Sequence, residues 1–324
     1  MLRFIVKRLL MVIPVLIGIT IVIQILIDIT PGDPAKLMLG MHATPERIEE
    51  LREQMGLNDP LPVRYWRYVS GVLKGDFGNS FTTKRPVIDE MKQRFPYTLI
   101  LVSLSLVLSL LLGIPIGVFA ATHQNSLKDN LAMFGALFCV SMPAFWFALM
   151  LVQRFAVKWR LLPLGGVSDW TGWILPCVAL ALGMTAVIAR QTRSNLLEVI
   201  RQDYITTARA KGLSKSKITY RHALKNGVIP IIMVAGGMFG TLIGGAFISE
   251  TIFNIPGLGM YTLQGLYQRD YPVIQSSVLI LSMLFAIVIL IVDIIFALVD
   301  PRIRLQYTHR GRKKQGANKR GGPI

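Results

Sequence analysis

The sequence predicts an all-α, polytopic membrane protein with six transmembrane helices, and three observations predict it. The 324 residues are 52% hydrophobic and only 16% charged, whereas soluble domains carry about 25% charged residues. Several apolar runs reach the roughly 20 residues that a helix needs to cross a hydrocarbon core of about 30 Å. Those runs do not alternate as barrel strands do, so a helix is what satisfies their backbone within the bilayer.

The spans are placed at about 9–30, 98–121, 131–155, 173–189, 229–249 and 278–299. The first follows Arg3, Lys7 and Arg8, an arrangement that also opens a cleaved signal peptide. Its apolar stretch is too long for that role, and no small-x-small cleavage site precedes the polar region, so it is expected to stay as a span. With the N-terminus in the cytosol, the cytosolic segments hold 21 of the 35 Lys and Arg residues, against only Asp129, Glu198, Asp203 and Asp300. This satisfies the positive-inside rule with both termini cytosolic and the 190–228 loop beside them. The net charge of +17 therefore follows from topology and anionic lipid, and gives no reason to expect nucleic acid as a partner. Residues 1–308 form one integral domain. The remainder, 309–324, with the run Arg310-Gly-Arg-Lys-Lys-Gln-Gly-Ala-Asn-Lys-Arg320, is expected to be a disordered basic tail.

The outside segment, 31–97, has local helical order. Thr44 before Pro45 is an N-cap followed by Pro at the first helical position. Ile48, Leu51 and Met55 recur at helical spacing, and Gly56 can end that helix. Tyr65, Tyr68, Val69 and Val72 mark a second amphipathic run closing at Gly75, and Val87, Ile88, Met91 and Phe95 a third that leads into the second span. Such helices either lie on the membrane as a cap or simply pack onto the bundle.

Within the spans, Gly236, Gly240 and Gly244 form one stripe at i, i+4 and i+8, and Gly113 and Gly117 another. Removing Cβ lets a neighbouring backbone approach, either within this chain or across a seam with a partner subunit. Pro14, Pro115, Pro143 and Pro176 are expected to kink their helices. Asp293 is the clearest ionisable group at membrane depth; it either pairs structurally or lies on a transport pathway. Cys139 and Cys177 lie inside spans and read as small hydrophobes. His42, His123, His222 and His309 are too scattered to build a metal site.

The 190–228 loop carries an ordered pattern of cap, break and cap. Residues from Asp203 to Lys211 favour a helix, with Ala208 and Ala210 giving it a low-profile surface. Gly212 breaks the run, and Ser214 can cap a second helix through Ile218, Tyr220, Ala223 and Leu224. Asn226-Gly227 is the expected stop, with Pro230 entering the fifth span. A loop needed only for topology requires no such order; small residues beside a hinge suit a rigid knob seated in another protein's groove.

The stretch Thr206-Thr-Ala-Arg-Ala-Lys-Gly212, followed by His222-Ala-Leu-Lys-Asn226, resembles the coupling motif of binding-protein-dependent ABC importer permeases. More narrowly, the chain resembles the first permease subunit of the dipeptide, oligopeptide and nickel import family. Further matching pieces are Pro31-Gly-Asp-Pro-Ala35, Gly75-Asp-Phe-Gly-Asn-Ser80, Glu250-Thr-Ile-Phe-Asn-Ile-Pro-Gly-Leu-Gly259 and Arg269-Asp-Tyr-Pro-Val-Ile-Gln275. They run in family order along nearly the whole chain. Aligned on Gly212, Thr206 and Thr207 stand where the general importer motif has Glu and Ala, and Ala208 keeps the second Ala. His222 and Lys225 fall where Ile and Pro would stand, with Leu224 retained. Loss of the Glu removes one expected polar contact, which is not assigned to Thr206.

The resemblance implies the type I importer fold and makes Asp203, Tyr204, Thr207, Ala208, Arg209, Ala210, Lys211, Gly212, Leu213, His222 and Leu224 the candidate ATPase-coupling residues. It also implies the partners: a homologous second permease, two ATPase subunits that carry ATP and Mg, and an extracytoplasmic solute-binding protein. No phosphate-binding Gly-x4-Gly-Lys-Ser/Thr loop occurs in this chain, so it is expected to hold no cofactor and to hydrolyse no nucleotide. Solutes of the family include dipeptides, longer peptides, glutathione and nickel chelates. A secondary transporter would instead need a charge relay or inverted repeats, and a mere membrane anchor would leave the hinged loop unexplained.

Overall fold

With few charges to solvate and long apolar runs to bury, the described residues form helices and no strand. A computed structural model describes residues 2–40 and 43–299. The basic tail and Asp300 lie outside the described residues. In order, α1 is Leu2–Ile29, α2 Pro34–Leu39, α3 Pro45–Gln54 and α4 Leu61–Leu73. Then come α5 Val87–Thr122, α6 Leu127–Ser141, and α7 Ala144–Leu151 continuing as a π-helical turn Val152–Lys158. After a 3-10 turn at Trp170–Trp173 follow α8 Ile174–Ile200, α9 Asp203–Ala210 and the single turn α10 Lys215–Lys217. A π-helical turn Ile218–Ala223 leads into α11 Leu224–Ile252, and α12 Leu258–Gln268 and α13 Tyr271–Val299 complete the described chain.

Among the described residues five helices are long and apolar enough to span a membrane, and the bent pair α6 and α7 makes a sixth if counted as one. The expected third span, 131–155, is therefore not one continuous helix. Pro143 lacks the N–H that would continue the ladder, Met142 is extended at φ −77° and ψ 131°, and the two halves bend by 98°.

The second span is longer than expected. α5 has 36 residues, which at 1.5 Å each is about 54 Å, so the amphipathic run from Val87 to Phe95 is its protruding first part. The fourth span also outruns its expected end at Ala189: residues 190–200, read as loop, continue α8. The reason is a buried stripe, Ala189, Thr192 and Leu196, that packs on α5 below the apolar stretch. The expected stop at Asn226-Gly227 is absent as well, because Asn226 hydrogen-bonds Tyr204 and the His222 carbonyl while α11 runs on through Pro230.

Smaller expectations in the 31–97 segment hold. Thr44 accepts the Arg47 N–H at 3.4 Å with Pro45 behind it, and Gly56 takes φ +65° past the end of α3.

The glycine stripes set helix separations. A Cβ on Gly113 would lie 2.8 Å from the Thr185 carbonyl oxygen, and one on Gly117 would collide with the Ala189 carbonyl. The α5 and α8 backbones therefore touch along this seam, reinforced by the Ser109 hydroxyl donating to the Ala181 carbonyl at 3.1 Å. Gly236 faces Val292 and Gly240 faces Phe285, so α11 meets α13 within the chain, whereas Gly244 looks onto open space. The main core is built from α5, α7, α8, α11, α12 and α13. A second, smaller core joins the inner ends of α5 and α8 to α9.

Candidate functional site: a surface knob and two polar junctions

The knob around Gly212 is closed by backbone chemistry. Gly212 takes φ +74°, its N–H donates to the Arg209 carbonyl at 3.0 Å, and the Leu213 N–H donates to the Ala208 carbonyl at 3.4 Å. This is a Schellman arrangement, whose left-handed position favours glycine because no Cβ meets the preceding carbonyl. Ser214 then accepts the Lys217 N–H at 3.4 Å and starts the next helix.

Two side chains hold the knob down. Ile205 and Ala208 are buried against Val118, Ala121, Leu196, Ile218 and Ala223. Ala208 therefore does not belong to the outward surface where the sequence placed it: positions i and i+3 of α9 share the inward face, and a small residue lets α9 sit close on α5 and α8. The outward face presents Asp203, Tyr204, Thr207, Arg209, Ala210, Lys211 and Gly212, with Leu213, His222 and Leu224 half-buried at its base. Asn226 donates to the Tyr204 hydroxyl at 2.9 Å and so pins α9 to α11. Arg209, Lys211, Lys215, Lys217, Arg221 and Lys225 are exposed around the knob, making its rim strongly basic.

At the other end of the bundle, the sequence pieces that looked like separate motifs meet. Glu250, fully buried at the end of α11, accepts the Thr98 hydroxyl at 2.6 Å and the Met260 N–H at 2.8 Å. Thr98 in turn accepts the Leu258 N–H at 2.8 Å. The start of α12 is thus capped by a side chain from α11 and one from α5, which satisfies amides that a helix end leaves unpaired. A Cβ on Gly257 or Gly259 would strike the Glu250 carboxylate, which explains both glycines. Next to this junction the Arg94 guanidinium stacks 4.6 Å from the Tyr261 ring centre. Burial, aided by the nearby Glu90 and Asp270 carboxylates and opposed by Arg94, pushes the Tyr261 phenol well above its ordinary range.

A second junction joins residues far apart in sequence. Buried Asp270 accepts the Ser80 hydroxyl at 2.5 Å and the Thr82 N–H at 3.0 Å, while Ser276 donates to the Phe77 carbonyl at 3.2 Å. The loop at 75–80 is thereby fixed to the start of α13. The first span is tied in by Gln24 to Gln275, Thr20 to Tyr65 and Asp28 to Arg64.

Asp293 is paired: the Arg8 guanidinium from α1 meets it with contacts of 3.0 and 3.1 Å. The pair stands at one end of a cavity of about 740 Å³ between α1, α11 and α13, lined by Ile19, Gly240, Gly244 and Phe285 among others. A second ion pair escaped the sequence reading. Asp129 of α6 receives Arg193 of α8 through two bonds of 2.6 and 2.7 Å and also accepts the Asn125 N–H at 3.0 Å. The only sequence signal was an isolated acid in a short basic segment between two spans. Cys139 and Cys177 are both free thiols. Among the described residues no cluster of three or more His, Cys, Asp or Glu could hold a metal.

A bundle of apolar, membrane-length helices with a built knob at one end and capped polar junctions at the other is the architecture of an integral membrane protein. Comparison with known proteins agrees. Residues 113–305 match the family described as binding-protein-dependent transport system inner membrane component, and residues 1–102 match the N-terminal part of such components. The chain is 41% identical to the glutathione transport system permease protein GsiC of Salmonella paratyphi A over 304 residues, covering 94% of this chain and 99% of the relative. It is 40% identical to the GsiC protein of Escherichia coli K12 over the same coverage. Among solved structures, the inward-facing MetNI methionine ABC transporter superposes with a TM-score of 0.58 at 20% identity, over 65% of this chain and 96% of that one.

The chain belongs to the binding-protein-dependent transport system inner membrane component family. It is a multi-pass permease component of an ABC importer, with the type I permease fold, and is not itself an enzyme. Permeases of this kind work with ATPase and binding-protein partners.

Proposed function

We propose that the chain forms half of the translocation pathway of an ATP-driven importer in the cell membrane, paired with a homologous second permease. Two ATPase subunits, which carry ATP and Mg, dock on the outward face of α9, and an extracytoplasmic binding protein delivers solute to the end where Glu250 and Asp270 lie. The knob and both termini face the cytosol, in keeping with the concentration of Lys and Arg there. The knob carries the assignment: a Schellman-closed turn at Gly212, seated on α5 and α8 through Ile205 and Ala208, gives a partner a rigid point to push. Force applied there reaches the spanning helices without passing through a flexible loop. ATP drives such a cycle only by favouring one conformation over another.

The solute class is glutathione or a di- or oligopeptide, as the relatives' printed function and the matching motifs indicate; a nickel chelate is the remaining class. Uptake of labelled glutathione and of mixed dipeptides into proteoliposomes, with the cognate binding protein present, decides between these.

The coupling assignment is tested with Gly212→Asp. No atom of the chain outside its immediate neighbours lies within 4 Å of a Cβ built there, so the change acts on the docking surface plus about 1–2 kcal/mol of left-handed backbone strain. Uptake and solute-stimulated ATP hydrolysis should be lost while membrane insertion is retained. Normal transport by the assembled variant would refute the assignment.

A further inference from the structure

We infer that the Asp129–Arg193 pair is the positioning contact that carries displacement of the α9 knob into α6, the first arm of the broken third span. This rests on the coupling role proposed for the knob.

α6 packs along one face on α8, touches α5 less, and leaves its other face bare. Of its 15 residues Asp129 is the one that is fully buried. Leu131, Phe134, Leu137 and Phe138 are all exposed, and a Cβ on Gly135 would meet nothing within 4 Å. At its far end α6 stops at the extended Met142 and the 98° bend. An apolar arm that leans mainly on one helix and is jointed at its far end moves with that helix, and a polar contact at its near end fixes how it does so.

The holding group is specific. Both Asp129 oxygens receive Arg193 in a two-point geometry at 2.6 and 2.7 Å, and the Asn125 N–H adds a third bond at 3.0 Å. Ser126 caps the same first turn by accepting the Asp129 N–H at 3.3 Å. Such forked pairs fix orientation as well as distance. Arg193 lies on α8 between buried Thr192 and Leu196, and Leu196 belongs to the small core that seats Ile205 and Ala208. The route from knob to arm is therefore continuous: α9, the end of α8, the ion pair, α6.

The assembled transporter is reconstituted with Asp129→Asn, Arg193→Gln, Asp129→Glu and the reversed pair Asp129→Arg with Arg193→Asp. Uptake and ATP hydrolysis are read in the same vesicles, with Gly212→Asp as control. Each neutral variant should assemble and hydrolyse ATP, yet move about tenfold less solute per ATP, the usual size of a coupling between sites. Asp129→Glu and the reversed pair should recover part of the ratio. Spin labels at Leu131→Cys and Lys211→Cys, with the native cysteines replaced, give a second readout. In the parent protein their separation should change by less than about 2 Å on ATP addition, because the elements shift together; in Asp129→Asn it should change by several ångströms more.

An unchanged uptake-to-ATP ratio in both neutral variants overturns the inference. So does a loss of uptake, hydrolysis and thermal stability in proportion, which marks a purely structural pair. If Gly212→Asp itself transports normally, the coupling role of the knob fails; if it does not and Asp129→Asn does, only the role of the pair fails.

Discussion

Truncating Glu250 should loosen the junction of α5, α11 and α12, by an amount that follows from its contacts. In Glu250→Ala, the Thr98 hydroxyl and the Met260 N–H both lose their acceptor in a fully buried site. Each stranded donor costs about 1–3 kcal/mol. The lost carboxylate also leaves a void beside Gly257 and Gly259, where no side chain can move in to fill it. Thr98 can turn its hydroxyl elsewhere, so a total of about 3–5 kcal/mol is expected. Glu250→Gln keeps the shape and one acceptor, and should lose about 1–2 kcal/mol. The assay is unfolding of the detergent-solubilised protein followed by tryptophan fluorescence, with Thr98→Val completing a double-mutant cycle. Directly bonded groups should show a coupling above about 1 kcal/mol. Strict additivity with Thr98→Val, or a loss under about 1 kcal/mol for Glu250→Ala, would remove the carboxylate from the junction.

Three further outcomes can be measured on the same footing. Gly236→Val forces methyl groups onto Val292 and should destabilise by about 1–3 kcal/mol, while Gly244→Ala, which faces open space, should leave unfolding unchanged. Ala208→Leu overfills the small core under α9 and should lower both thermal stability and ATPase docking, measured by co-purification; Ala210→Ser, on the exposed side, should leave thermal stability unchanged. Removing one member of the Arg8–Asp293 pair should cost about 1–3 kcal/mol, and the double variant Arg8→Gln with Asp293→Asn should recover part of that loss because no lone charge is left at membrane depth.

Much of this protein was legible in its sequence, since composition acts at every position. Long apolar runs leave a bilayer-embedded chain only the helix, local caps such as Thr44, Gly56 and Ser214 depend on near neighbours, and Gly212 announces a left-handed turn through its missing Cβ. Hence five of the six spans, the cap-break-cap order of the knob and the family resemblance could be read in advance, whereas the third span breaks at Pro143. Element ends were less legible. Continuation of α8 through 190–200 and of α11 through Asn226-Gly227 depends on a buried stripe and a Tyr204 contact, which no local signal records.

Only the tertiary structure decided which side chains meet. It turned Ala208 inward, gave Asp293 its partner in Arg8 at the other end of the chain, and placed Gly236 and Gly240 against α13. It gathered the 75–80 loop with Asp270, and Thr98 with Glu250, across 152 to 190 residues of sequence. The physical reason is range. Hydropathy and capping are set within a turn or two, whereas pairing of buried polar groups depends on which helices pack together, and one sequence position does not encode its distant neighbour.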